Sequence, residues 1–137
     1  MKISEFECLK GYHCERPVLF HKEMDYAQAI YNANIPYRPG VYLVYSLSME
    51  GEDNELLYFG KAGVTGNVND SVINFHQLPI RLLAATKRPI EYKESTSEFV
   101  TRAKLWPWYV ETKFEYGIKI YWFLDVVLDV GLEILFL

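Results

Sequence analysis

Apolar and polar positions along the chain alternate in three distinct rhythms. From 22 to 34, Met24, Ala27, Ile30 and Tyr31 recur at i, i+3, i+6 and i+7. This predicts an amphipathic helix, ended by Asn34, Pro36 and Pro39. Pro39-Gly40 is a turn that launches a strand over 41–47, in which Val41, Leu43 and Tyr45 oppose Tyr42, Val44 and Ser46. Both of its faces are apolar, the mark of a central strand covered on two sides. The polar run Ser48-Met49-Glu50-Gly51-Glu52-Asp53-Asn54 predicts a turn into an antiparallel partner over 55–61.

A polar loop, 63–70, follows. Helix is predicted over 75–87, with Pro79 in its first turn, Leu78, Leu82 and Ala85 inward and Pro89 as the stop. A second helical stretch spans 95–116, with Ser95 or Ser97 as cap, a break or kink near Trp106 imposed by Pro107, and Gly117 as its end. Over 118–124, Ile118, Ile120, Trp122 and Leu124 alternate with Lys119, Tyr121 and Phe123, a strong strand pattern. Asp129 is placed to cap a final helix over 131–137. Residues 1–21 have no clear period and suggest one or two short extended or helical pieces. The expected fold is α+β, a small central three-stranded antiparallel sheet flanked by helices. A length of 137 residues implies one domain. It divides into an N-terminal extension with a helix, 1–38, and a core, 39–137.

Composition changes this picture little. Half the residues are hydrophobic, enough for a real core, and eleven Tyr, eight Phe and three Trp are first of all packing residues. The net charge of −4 argues against a non-specific coat on DNA, which needs Lys and Arg to neutralise phosphates. Its distribution is uneven: residues 61–124 hold nine basic and six acidic groups, whereas 1–60 hold five and nine. Cys8 and Cys14, with His13 beside the second, lack the further pair that a zinc site needs and read as free thiols. The N-terminus has no apolar signal core and no run of about eighteen apolar residues occurs, so a cytoplasmic protein with no membrane partner is expected.

Chemistry concentrates in two tripeptides, Gly40-Val41-Tyr42 and Tyr58-Phe59-Gly60, one on each arm of the predicted hairpin. Two phenols facing each other could serve phosphodiester cleavage if a cation nearby favours the phenolate. Flanking glycines would let a ligand approach the backbone. Two ordinary strand tyrosines are the simpler reading of the same residues. Lys61 is placed to touch phosphate, or is a solvated strand-end lysine.

Pro39-Gly40-Val41-Tyr42 and Leu57-Tyr58-Phe59-Gly60-Lys61-Ala62-Gly63 resemble the two signature segments of the GIY-YIG nuclease family, with Val and Phe for the two isoleucines. The order helix, strand, strand, helix, strand, helix is similar as well. The resemblance implies a metal-dependent DNA endonuclease of the restriction, repair or mobile-element kind. It makes Tyr42, Tyr58, Arg81 and Glu133 catalytic, with Arg81 on the scissile phosphate and Glu133 holding Mg²⁺ or Mn²⁺. Arg88 and Arg102 compete with Arg81 for that role. Lys61, Lys87 and Arg88 are expected to bind nucleic acid, and a homodimer would allow both strands to be cut. The alternative is a catalytically silent nucleic-acid-binding or protein-interaction module of the same architecture.

Overall fold

The computed structural model describes residues 1–62 and 77–126, together with the backbone of 134–135. Two 3₁₀ turns, Ile3–Glu5 and Glu7–Leu9, precede strand β1, Val18–Phe20, and helix α1, Tyr26–Asn32. A hairpin of β2, Gly40–Leu47, and β3, Asp53–Ala62, comes next. Helix α2, Leu78–Leu83, leads into a second hairpin of β4, Ala85–Lys87, and β5, Phe99–Thr101. Helix α3, Arg102–Thr112, strand β6, Ile118–Leu124, and the two-residue β7, Ile134–Leu135, complete the order.

The α+β class is as expected, but the sheet is wider. Its strands run β1-β6-β2-β3-β7, every pair antiparallel, so each edge of the expected three-stranded core carries an additional short strand. Strand β2 lies at the centre and is buried along its whole length. That is the physical meaning of its two apolar faces. Residues 1–38 supply β1 and α1 and pack Phe6, Leu9, Val18, Phe20, Tyr26 and Ile30 into the core.

Helical forecasts needed more revision. In α1 the inward stripe is Tyr26, Ala29 and Ile30 with Ala33 half-buried, whereas Met24 and Tyr31 are exposed. Asp25 caps the helix by accepting from the Gln28 N–H at 2.9 Å, so the helix begins after it and Met24 lies outside. Residues 85–87, expected as helix, are strand instead, and Ala85 is exposed. Helix α3 begins at Arg102, not near Ser95. The two serines serve a turn, with Ser95 Oγ accepting from Ser97 N–H and Ser97 Oγ from Phe99 N–H. Pro107 does not break α3, which runs through it to Thr112. Ile134 and Leu135, expected in a closing helix, pair as a strand with Phe59 and Tyr58. The forecast Asp129 cap lies outside the described residues, as does the loop forecast over 63–70.

Candidate functional site

The sheet's two faces collect different residues. Tyr42, Val44, Ile118, Ile120 and Trp122 point toward the three helices, and Val41, Leu43, Tyr45, Phe59 and Phe123 point away from them. Tyr42 lies opposite Gly60 in the β2–β3 register, and Tyr58 lies opposite Val44. The two rings therefore meet diagonally across the hairpin, stacked with centroids 5.5 Å apart and planes inclined by 28°. Gly60 makes this possible: a Cβ there would come within 2.6 Å of Tyr42 Cε1 and closer still to the Tyr58 ring. The expectation that Gly60 opens the backbone to a ligand is thereby corrected, because the protein's own tyrosine rings fill that space. At Gly40 a Cβ would strike the Phe123 carbonyl and stand 2.6 Å from Leu78 Cδ1, so this glycine serves close packing of β2 on β6 and α2.

Arg102 is brought to these tyrosines. It is the first residue of α3 and only 4% exposed. Its Nη1 donates to the carbonyls of Ala84 at 3.0 Å and Ala85 at 3.2 Å, and its side chain is hydrogen-bonded to Tyr58. Burial alone would lower its pKa, but the phenols of Tyr42, Tyr58 and Tyr26 outweigh that and raise it. The guanidinium is thus a fixed positive charge. Tyr26 approaches from α1 and donates its hydroxyl to the Leu82 carbonyl at 2.8 Å. Burial first, and Tyr42 second, push its pKa well up despite Arg102, so Tyr26 stays a neutral structural phenol.

Tyr58 and Arg102 form the floor of a cavity of about 260 Å³ between the β4–β5 hairpin and α3. Leu105, Trp106, Tyr109 and Lys113 join Arg102 along one helical stripe, and Thr86, Lys87, Arg88, Pro89 and Glu91 close the other side. Arg88 is clamped in place: its Nε donates to the Ser97 carbonyl at 2.7 Å and its Nη1 to the Tyr92 carbonyl. Lys113 Nζ lies 5.5 Å from the centre of the Tyr109 ring. Burial, then Glu91, raises the Tyr109 pKa and keeps that ring neutral.

Of the residues expected at the site, Tyr58, Lys87 and Arg88 line this cavity and Tyr42 stacks beneath it. Arg81 is not among the lining residues; it sits half-buried on α2, its Nε enclosed and without a hydrogen-bond partner among the described residues. Lys61 follows Gly60 by one position and so projects to the other face of the sheet. Glu133 lies outside the described residues. The sequence reading ranked Arg102 behind Arg81 and passed over Trp106, Tyr109 and Lys113. Their spacing at i, i+4, i+7 and i+11 is the signal that could have grouped them.

The described lining offers one carboxylate, Glu91, against Lys87, Arg88, Arg102 and Lys113. That donor set does not fit Mg²⁺ or Mn²⁺, which take oxygen ligands. Among the described residues no group of three or more His, Cys, Asp or Glu is placed to hold a metal ion. The two cysteines are free thiols, and Cys14 Sγ accepts from the Trp122 N–H at 3.4 Å. No described helix is long and apolar enough to cross a membrane. No protein-family model, curated protein or solved structure matches the chain.

Proposed function

We propose that this chain binds DNA and cleaves its phosphodiester backbone in the manner of a GIY-YIG endonuclease. The observation that carries the reading is the Tyr58–Arg102 pair at the floor of a cation-lined cavity, with Tyr42 stacked against Tyr58. A guanidinium bonded to a phenol favours the phenolate, which turns a weak base into a usable one. Tyr58 orients or deprotonates the attacking water, Arg102 holds the scissile phosphate, and Lys87 and Lys113 meet the flanking charge. Tyr42 fixes the Tyr58 ring.

Nicking of closed-circular plasmid in Mg²⁺ or Mn²⁺ tests this. Tyr58→Phe is expected to slow nicking by about 10²-fold or more, the scale of a lost general base, while the chain stays folded at a cost of about 1–3 kcal/mol for the lost bond to buried Arg102. Arg81→Ala is expected to leave nicking intact if Arg102 is the phosphate ligand. Full activity in Tyr58→Phe would sink the reading. A second reading, a silent DNA-binding module, is favoured by the complete burial of Tyr42. It predicts salt-sensitive DNA binding with no nicking by any form.

A further inference from the structure

The cavity beside Tyr58 holds more positive charge than a single phosphodiester uses. Lys87, Arg88, Arg102 and Lys113 face one carboxylate, Glu91. Arg102 is buried, and its partners among the described residues are the Ala84 and Ala85 carbonyls and the Tyr58 phenol rather than a carboxylate. An anionic ligand rich in acceptor oxygens matches a lining of four cations and one carboxylate.

We infer that this cavity receives a nucleotide phosphate monoester, carried either by the end of a nucleic-acid strand or by a free nucleotide. A monoester brings about −1.5 to −2 charges near pH 7 and three terminal acceptor oxygens, where a diester brings a single charge. The two arginines are held in advance, Arg102 by the Ala84 and Ala85 carbonyls and Arg88 by those of Ser97 and Tyr92. Little side-chain entropy is therefore lost on binding. The volume of about 260 Å³ falls just under the roughly 300–1,000 Å³ of pockets for whole drug-sized ligands, and suits one phosphate with its attached sugar. Tyr58, Trp106 and Tyr109 offer aromatic wall to whatever that sugar carries.

The inference rests on the nucleic-acid reading above, and its test is kept apart from it. Nicking of a closed circle needs no strand end and reports only on the first reading. For the second, the full chain is titrated with one oligonucleotide sequence bearing a 5′ phosphate, a 3′ phosphate or hydroxyls at both ends, and separately with 5′-AMP. A phosphorylated end is expected to bind about tenfold more tightly or better. Lys87→Gln with Lys113→Gln, both exposed side chains, should erase that preference while the melting temperature holds. Binding of 5′-AMP at comparable affinity identifies the free nucleotide as the source, and its failure beside a phosphorylated-end preference identifies the strand end. Equal affinity for all three oligonucleotides, with no binding of 5′-AMP, overturns the inference even if nicking is observed.

Discussion

The two faces of the main sheet are built by opposite rules. Away from the helices, Val41, Leu43, Leu56, Phe59 and Phe123 pack with Phe6, Leu9 and Val126, and Phe6 lies 5.0 Å from Phe59 ring to ring. Polar groups there stay at the margin. Tyr45 donates to the Met1 carbonyl at 2.6 Å and Tyr121 to Asp53 at 2.6 Å. Toward the helices, the core takes in Tyr26, Tyr42 and Arg102 at its centre; Tyr26 donates to the Leu82 carbonyl, and Arg102 is bonded to the Ala84 and Ala85 carbonyls and to Tyr58. One face is a packing problem and the other a hydrogen-bonding and charge problem. Stability should therefore respond to volume on the first and to polar geometry on the second.

The largest effect is expected where volume alone decides. Phe59→Ala should cost about 3–5 kcal/mol by denaturant unfolding, since a fully buried ring leaves a cavity the sheet cannot close. A cost under about 1 kcal/mol would break the contrast. Gly60→Ala comes next, at about 1–3 kcal/mol, because the added methyl runs into both site tyrosines. It should also displace the Tyr42–Tyr58 stack, read as a changed near-ultraviolet circular dichroism signal, and depress any nicking along with it.

A smaller loss, about 1 kcal/mol, is expected for Asp25→Ala, which uncaps α1. Since α1 carries Tyr26 onto α2, the same variant should loosen the helical face and leave the Phe59 side unchanged by hydrogen exchange.

The subtlest test uses pH. The Tyr45 phenol is pushed up to about 12, mainly by burial, then by Asp53, Tyr121 and Glu5. The unfolded phenol ionises near 10, so below that both states are protonated and the contribution is whole. Between about 10 and 12 the unfolded chain releases its proton first and stability falls. Tyr45→Phe should flatten part of that alkaline decline, and an unaltered decline would show that Tyr45 does not drive it.

These contrasts also explain what could be read in advance. Strands β2, β3 and β6 were legible because their residue types repeat at period two or are apolar on both faces. The phase of α1 was not, since Ile30 belongs to both candidate stripes and the choice is made by tertiary packing, which buries Tyr26 and Ala29 and leaves Tyr31 exposed. The β4–β5 hairpin was invisible: Ala85–Lys87 and Phe99–Thr101 are three residues each, and carbonyl contacts from Arg88 across the 88–98 connection help hold it. Tyrosines 42 and 58 were found because glycines mark them. Arg81 was preferred to Arg102 because the family resemblance points to the helix after the hairpin. Only the turn of β5 into α3 buries Arg102 against carbonyls that the sequence does not advertise.

The hydrogen bond from Tyr45 to the Met1 carbonyl fixes the amino-terminal backbone against the sheet face that turns away from Arg102. A fluorophore or surface tether joined at Met1 therefore emerges on the blind side of the molecule. A label there reports on the sheet face opposite the one that carries the basic cavity.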